Sequence, residues 1–274
     1  MKPFTKWVGG KRQLLKPILE LLPDKYNHYY ELFIGGGAVL FELAPNQASI
    51  NDRNAELILA YNVIKHNVGE LIVELKKHAL NNNKDYYLDI RSMDRDGRIN
   101  ALTDVERAAR LLYMLRVCFN GLYRVNSKNQ FNVPYGSYKN PKIVNEDNLR
   151  EVSAYLNKHN VTITNLDFEE ASKNIKRGDL VYLDPPYVPL SKTESFTSYT
   201  ADGFSYDDQV RLRDLFVELT NRGAYVIISN SSADLVYELY QPYAKQIIEV
   251  DATRMVNSKA SNRGAVKEVL ITNF

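Results

Sequence analysis

The stretch from residue 29 to residue 52 constrains the fold more than any other part of this 274-residue chain. The apolar and aromatic run at 29–34 predicts a buried strand, the three glycines at 35–37 predict a tight turn, and the apolar residues after them predict a helix. A second short strand at 48–50 leads to Asp52. This order of elements predicts the opening of a doubly wound α/β sheet: a strand, a glycine turn, a helix, a second strand and an acid.

The α/β pattern is interrupted and then resumes. A helix predicted at 54–65 leads into a region of mainly helices and loops. Later strands are predicted at 161–165, 179–184 and 224–229 and near residues 247 and 269. We therefore expect a sheet domain formed by residues 1–57 and 160–274, interrupted by a mainly helical domain at 58–159.

Two of the predicted helices carry end signals. Thr103 and Glu106 have the spacing of a capping box, and six apolar residues behind them share one helical face. These six are Val105, Ala108, Leu111, Leu112, Leu115 and Phe119. Ser205 and Gly223 predict the start and the end of a helix at 205–221. Turn residues at 127–130 predict the tip of a hairpin.

The glycine turn indicates a ligand. Glycines after a strand let the backbone approach a bound molecule, and Phe33, Gly35 and Gly37 lie at this turn. The dinucleotide pattern needs a third glycine where Leu40 stands, and Asp52 lies where a carboxylate can accept ribose hydroxyls. A nucleoside cofactor without a pyrophosphate, such as S-adenosylmethionine, fits this pattern; a plain βα turn with a surface aspartate stays open as the alternative.

The segment DPPY begins at Asp184, the last residue of the strand predicted at 179–184. Pro185 and Pro186 cannot donate backbone hydrogen bonds, so this strand exit presents carbonyl groups without competing N–H groups. Asp184 adds a second acceptor, and Tyr187 adds a flat aromatic face. Two acceptors beside a ring predict a site for a planar molecule with an exocyclic amine, such as adenine or cytosine, at the edge where open sheets hold their ligands.

Charge is unevenly distributed along the chain. The formal net charge is only +2, but residues 107–145 contain no acid and carry seven cations. Residues 252–267 form a second acid-free stretch, with Arg254, Lys259 and Arg263 among its cations. Clustered cations beside aromatic residues favour a surface for a polyanion such as nucleic acid; two solvated faces remain the alternative.

Other compositional features exclude whole classes of protein. One cysteine and four histidines provide neither a disulfide framework nor a zinc site, and we expect Cys118 to be a core residue. The N-terminus lacks the apolar stretch of a secretory signal, and no apolar run is long enough to span a membrane. We therefore expect a soluble protein of the cytoplasm that uses no metal.

Six motifs together resemble one enzyme family. They are KWVGGKR (6–12), ELFIGGG (31–37), IND (50–52), NGLYRVNSKNQFNVPYGSYK (120–139), LDF (166–168) and DPPY (184–187). The chain resembles the Dam-type DNA adenine-N6 methyltransferases, which include members that accompany restriction enzymes cutting at GATC. DPPY indicates an amino-methyltransferase in general, and FNVPYG is more specific to the Dam group. Ser137 stands where many relatives have an arginine.

The resemblance implies a cofactor and its ligands. The cofactor would be S-adenosylmethionine, with S-adenosylhomocysteine as product and no metal, bound in a Rossmann-like sheet. Trp7 and Lys11 would contact it, and Asp52 would accept from its ribose. Asp167 would accept from the adenine amine of the cofactor beside the Phe168 ring, and Asp184 would bridge cofactor and target base.

The resemblance also implies double-stranded DNA as partner and makes 58–159 the target-recognition domain, with a DNA-reading hairpin near 120–139. Arg124 is the residue expected to contact a guanine. Tyr123 would wedge into the base stack, with Asn126, Asn132, Pro134 and Tyr138 as neighbours of suitable chemistry. Arg116, Lys128 and Lys139 are expected to hold phosphates. A GATC restriction endonuclease is a possible functional companion.

Three other functions stay open at this point. An N4-cytosine methyltransferase needs the same two acceptors and the same ring. A DNA-binding relative without catalysis would keep the fold, and a nicotinamide oxidoreductase would use a similar sheet. The predicted reaction is base flipping followed by direct methyl transfer to N6 of adenine.

Overall fold

The computed structural model describes residues 1–7, 9, 11, 13–190, 204–253 and 265–274. The chain divides into two compact units. The first comprises Met1–Gly10, Gly35–Ala44 and Asp52–Asn165, and the second comprises Lys11–Ile34, Pro45–Asn51 and Leu166–Phe274. The segment 58–159, predicted as a recognition domain, lies wholly within the first unit, together with the glycine turn.

The chain forms a seven-stranded sheet among its described residues. Its strands are β1 (Tyr29–Glu31), β2 (Ala48–Asn51), β3 (Thr162–Thr164), β4 (Leu180–Leu183), β5 (Tyr225–Ser231), β6 (Gln246–Thr253) and β7 (Ala265–Thr272), in the order β3-β2-β1-β4-β5-β7-β6. Strand β1 pairs in parallel with β2 and β4, and β4 with β5. Strand β7 runs antiparallel to β5 and β6. The predicted doubly wound α/β sheet is confirmed.

The helices follow the predicted pattern. They are α1 (Leu15–Glu20), α2 (Ala38–Leu43), α3 (Ala55–Asn81), α4 (Lys84–Ser92), α5 (Asp104–Val117), α6 (Glu146–Lys158), α7 (Phe168–Ala171), α8 (Tyr206–Arg222) and α9 (Asp234–Tyr240). The capping boxes of α5 and α8 are both present, and α8 ends at Gly223, whose φ is 80°. None of the described helices is long and apolar enough to cross a membrane.

The second unit has a continuous apolar core over the central strands. All four residues of β4 are buried, which explains its uninterrupted apolar sequence. Strand β1 ends at Glu31, three residues before the end predicted from the sequence. The Asn51 amide group donates to the Leu32 carbonyl at 3.1 Å and to the Leu166 carbonyl at 3.0 Å, so a buried side chain replaces the sheet ladder there.

One prediction in the first unit is borne out approximately and one needs correction. The helix predicted at 54–65 is followed by a break at Asn67, whose φ of −131° and ψ of 32° are non-helical, and a second helical segment then continues α3 to Asn81. Phe119 was expected on the apolar face of α5 but is 51% exposed. Helix α5 ends at Val117 and Cys118 is extended, so Phe119 leaves the helical phase. Cys118 is buried as predicted, and burial raises the pKa of its thiol to about 11.

Candidate active site

The loop after β4 is held from two neighbouring elements of the second unit. The Gln209 side chain on α8 donates to the Pro186 carbonyl at 3.0 Å. At the end of β5, Asn230 Oδ1 accepts from the Val188 amide at 3.0 Å, and Ser231 Oγ donates to the Val188 carbonyl at 2.5 Å. This loop therefore has a defined conformation at the carboxyl end of the parallel strands, where open α/β sheets bind ligands.

The Asp184 carboxylate is bound through one of its two oxygens. Oδ1 accepts from the Lys11 ammonium at 2.8 Å and from the Ser229 hydroxyl at 2.8 Å. The Tyr182 hydroxyl lies 2.9 Å from Ser229 Oγ, and burial, followed by the Asp184 charge, raises the pKa of Tyr182, so this hydroxyl keeps its proton. No hydrogen-bond donor from the described residues reaches Asp184 Oδ2, which remains a free acceptor.

The Tyr187 ring is fixed at its hydroxyl and at one face. Its hydroxyl donates to Glu268 Oε2 at 2.9 Å, and the Lys11 ammonium lies 4.4 Å from the ring centre. Burial, followed by the Asp184 charge, raises the pKa of Tyr187 strongly, so the phenol stays a donor. Pro185 is buried, and within the described part of the chain its carbonyl receives no hydrogen bond. Two oxygen acceptors and an aromatic ring thus belong to one short segment.

A second group in the same unit surrounds Asp167 at the start of α7. Asp167 Oδ1 accepts from the Glu169 amide at 3.0 Å and lies 2.8 Å from Arg211 Nη2. The Arg211 guanidinium lies 4.8 Å from the centre of the Phe168 ring. The centres of the Phe33 and Phe168 rings are 5.6 Å apart. A carboxylate and two aromatic rings suit a purine with an exocyclic amine.

The glycine turn of the first unit is built around Asp52. Its Oδ2 accepts from the Gly35 amide at 3.0 Å, and its Oδ1 accepts from the Asn54 amide at 2.9 Å. Gly37 has a φ of +71°, and a Cβ there would lie 2.6 Å from the Tyr61 hydroxyl, so this position requires glycine. A Cβ at Gly35 would lie 3.0 Å from Trp7 Cδ1, so the turn, the tryptophan and the acid form one cluster.

The predicted hairpin is present in the first unit. Val125 and Phe131 form an antiparallel bridge, and the Asn126 carboxamide oxygen accepts from the Lys128 and Gln130 amides, which closes the tip at 127–130. Arg124 is exposed, and its Nε donates to Asn132 Oδ1 at 2.7 Å. The Asn126 and Asn132 side chains therefore shape the hairpin, whatever they contact outside it.

Other predicted DNA-contacting residues lie in different surroundings. Tyr123 stacks on Trp7 with ring centres 5.1 Å apart. The Tyr138 hydroxyl accepts from Lys6 Nζ at 3.2 Å. Arg116 is half-buried and donates to the Phe4 carbonyl at 3.1 Å, and burial lowers its pKa. Pro134, Lys128 and Lys139 are exposed.

The cationic surface predicted from residues 107–145 is smaller than the sequence indicated. Arg107 pairs with Glu56, and Arg110 is only 5% exposed. These cations bind groups of their own unit. Of the second basic stretch, Arg254, Lys259 and Arg263 lie outside the described residues.

The sequence did not single out several side chains that complete these groups. They are Lys6, Gln209, Arg211, Ser229, Asn230 and Glu268. One signal was available: Ser229 and Asn230 end a strand parallel to β4, so their side chains belong to the same sheet edge as Asp184. Arg211 and Glu268 are ordinary charged residues in amphipathic elements, and no local pattern marks them.

The comparisons with known proteins agree with these motifs. The sequence model of the D12 class N6 adenine-specific DNA methyltransferases matches residues 7–256. The chain belongs to this family. It is 57% identical to the Type II methyltransferase M1.LlaDCHI of Lactococcus lactis subsp. cremoris, over all of this chain and 96% of that protein.

Two further relatives of this D12-class enzyme extend across almost the same length. The Type II methyltransferase M.MjaIII of Methanocaldococcus jannaschii is 42% identical over 100% of this chain and 99% of its own. A DNA adenine methylase of Vibrio cholerae is 35% identical over 98% of this chain and 95% of its own. The protein is therefore an adenine-specific DNA methyltransferase with a Rossmann-like sheet, and its family uses S-adenosylmethionine. This sets aside cytosine methylation, loss of catalysis and nicotinamide chemistry.

Proposed function

We propose that this enzyme methylates N6 of the adenine in GATC within double-stranded DNA, by flipping the base out of the helix and transferring the methyl group directly. The observation that carries the transfer step is the one-sided binding of Asp184, and the GATC site is carried over from the Dam-type resemblance of residues 120–139. Lys11 and Ser229 both bind Oδ1, and none of the other described residues donates to Oδ2, so Oδ2 can accept from a substrate donor beside the Pro185 carbonyl. The two acceptors match the two hydrogens of an exocyclic amine.

In this proposal Asp184 Oδ2 and the Pro185 carbonyl accept the two N6 hydrogens of the flipped adenine, and Tyr187 stacks on its ring. Pro186 keeps the loop free of a competing N–H group. The two hydrogen bonds favour a pyramidal nitrogen whose lone pair is withdrawn from the ring. They also stabilise positive charge as it develops on that nitrogen, and such fixed groups are effective where water is excluded. Unstacking the base costs a few kcal/mol.

S-adenosylmethionine, when bound, supplies a methyl group activated by its sulfonium. The donor set fits this cofactor, since carboxylates accept from hydroxyl and amine groups and aromatic rings contact a purine. In the first unit we assign Trp7, Gly35, Gly37 and Asp52 to it, with Asp52 on the ribose. In the second unit we assign Lys11, Phe33, Asp167, Phe168 and Asp184, with Asp167 on the adenine amine.

We propose that residues 1–57 and 160–274 form the catalytic domain and that 58–159 recognises DNA through the hairpin. Arg124 would contact a guanine, because it is exposed and aligned by Asn132. Tyr123 would insert beside the flipped base, with Asn126, Asn132, Pro134 and Tyr138 lining the contact. Lys128 and Lys139 would hold phosphates. Arg116 would contribute only by releasing the Phe4 carbonyl. A GATC endonuclease in the same cell is the expected companion.

Restriction protection tests this proposal. Unmethylated plasmid is incubated with enzyme and S-adenosylmethionine, then digested in parallel with a nuclease that cuts only bare GATC and one that cuts only methylated GATC. We expect protection from the first and cleavage by the second. Unchanged digestion with both, while tritium from the cofactor enters the DNA, would refute GATC but not methylation.

A further inference from the structure

Charged side chains from the α4 region bind the backbone of the second hairpin strand. Asp94 Oδ2 accepts from the Phe131 amide at 2.7 Å, and Arg95 Nη2 donates to the Phe131 carbonyl at 2.7 Å. Arg91 Nη1 donates to the Val133 carbonyl at 3.0 Å. Three polar groups on one edge of this strand are thus bound by charged side chains, which makes these hydrogen bonds stronger than neutral ones.

Asp94 also forms ion pairs with two of the neighbouring arginines. The Asp94 and Arg110 side chains are 10% and 6% exposed, and Arg110 Nη2 lies 3.2 Å from Asp94 Oδ2. Arg95 Nη1 lies 2.6 Å from Asp94 Oδ1. Arg110 Nε also donates to the Ile90 carbonyl at 2.9 Å. Buried charges persist only where their partners are complete, so this network depends on its single carboxylate, Asp94.

The hairpin is too short to be ordered by its own ladder. Its cross-strand hydrogen bonds run from the Asn126 amide to the Gln130 carbonyl and from the Asn132 amide to the Arg124 carbonyl, with one bridge between them. An isolated two-stranded hairpin is at best marginally stable in water. Phe131 is 3% exposed, so its side chain anchors the strand. The hydrogen bonds with Asp94, Arg95 and Arg91 fix the direction of its backbone.

We propose that Asp94 is a positioning residue for sequence reading: it pre-organises the hairpin and thereby sets the discrimination between the target site and its one-base variants, without contacting DNA itself. This rests on the proposed role of the hairpin as the DNA reader. A nearly buried carboxylate is a poor DNA ligand, because its charge repels phosphates. A loop that is ordered before binding loses less entropy on the correct site and holds its base contacts within a narrow geometry.

The test compares Asp94→Asn with Asp89→Asn. Asp89 lies in the same region, but its side chain is 56% exposed and pairs with the exposed Arg98. Hydrogen exchange is measured by mass spectrometry on peptides covering 124–135. In parallel, relative kcat/KM is measured on a DNA library containing every one-base variant of the site that the wild-type enzyme methylates.

For Asp94→Asn we expect about tenfold faster hairpin exchange and about tenfold lower discrimination, with the KM for S-adenosylmethionine unchanged. Asp89→Asn should match the wild type in hairpin hydrogen exchange, in discrimination between sites and in the KM for S-adenosylmethionine. The proposal would be overturned if hydrogen exchange of the hairpin became faster while discrimination against one-base variants stayed unchanged. It would also be overturned if hydrogen exchange became faster throughout the first unit. A wild type that labels no DNA would instead refute the proposed function.

A milder variant covers the case in which Asp94→Asn does not fold. The double change Tyr87→Phe with Arg91→Gln removes both side-chain donors to the Val133 carbonyl, at 2.8 and 3.0 Å, and leaves Asp94 in place. We expect the same selective loss of discrimination, about threefold or more. Unchanged discrimination in this variant would overturn the proposal.

Discussion

The ammonium of Lys11 lies 2.8 Å from Asp184 Oδ1 and 4.4 Å from the centre of the Tyr187 ring. One nearly buried cation therefore contacts both the acid and the ring that we assign to the target base. It neutralises the carboxylate from one side and leaves Oδ2 for the substrate. This arrangement fixes the orientation of the Asp184 carboxylate next to the Tyr187 ring.

Replacing Lys11 with Met should lower single-turnover methyl transfer about a hundredfold or more. The change leaves the Asp184 carboxylate, whose side chain is only 19% exposed, without the cation that holds its Oδ1, so the acceptor of the target amine loses its orientation. Lys16→Met is the matched control, because Lys16 is 86% exposed and its pairing with Glu20 is loose at 3.8 Å. Equal rates in the two variants would exclude the role given to Lys11.

Replacing Ser229 with Ala should lower kcat roughly tenfold and leave the KM for S-adenosylmethionine within about twofold, because a hydrogen bond to a charged group contributes about 1.5–3 kcal/mol. The lost bond lets the Asp184 carboxylate rotate away from the target amine. Tyr182→Phe removes only the hydroxyl behind Ser229 and serves as control, with an expected loss of about threefold or less. If Tyr182→Phe is the more damaging change, orientation of Asp184 by Ser229 is not the cause.

Stability should fall in acid because of His78. This residue is 9% exposed, stacks on Tyr113 with ring centres 4.8 Å apart, and has its pKa lowered to about 4, mainly by burial. The unfolded chain binds this proton near its ordinary pKa of about 6.5, so the unfolded state gains protons first as pH falls. The stability from neutral His78 is complete above about pH 6.5 and is lost as pH falls toward 4, by up to about 3 kcal/mol.

Urea unfolding at pH 7 and pH 4.5, in the wild type and in His78→Gln, measures this contribution. Glutamine can keep a hydrogen bond to Tyr86 but does not titrate. We expect the free energy of unfolding to fall more steeply with acid in the wild type than in the variant. If the free energy of unfolding falls equally in the wild type and in His78→Gln, groups other than His78 cause the acid sensitivity.

Replacing Arg124 with Ala should relax specificity at one guanine position and leave the other positions intact, because a bidentate arginine contributes about 1–3 kcal/mol of discrimination there. Lys128→Ala is the contrasting change: it should weaken binding to all sequences and reduce the salt slope by about 1. The readout is the same library of one-base variants, with DNA affinity at two salt concentrations. Uniform weakening by Arg124→Ala would identify Arg124 as a phosphate ligand.

The parts of the fold that could be predicted are those set by local sequence period and end signals. Local residues were enough to predict strand β4, the capping boxes of α5 and α8, and the hairpin tip. Phe119 was misplaced because a single extended residue, Cys118, changes the phase of the chain, and periodicity alone does not register such a change.

Charge was harder to interpret than apolar pattern. Arg110 looks like part of a cationic surface in the sequence, yet it is buried against Asp94, an acid outside the acid-free run. Likewise, the sequence identified Asp184 but not the partners of its Oδ1, because Lys11 and Ser229 are 173 and 45 positions away along the chain. Pairings of this kind arise from strand order, which no short motif encodes.

In the proposed mechanism Asp184 acts in the transfer step rather than in DNA binding. The most direct test is single-turnover transfer of a tritiated methyl group to adenine by Asp184→Ala, with DNA affinity measured on the same sample. Asp214→Ala is the control, because the Asp214 side chain is 65% exposed. We expect transfer to fall about a thousandfold or more, with DNA affinity within about threefold of the wild type. Near-normal transfer by Asp184→Ala would contradict it.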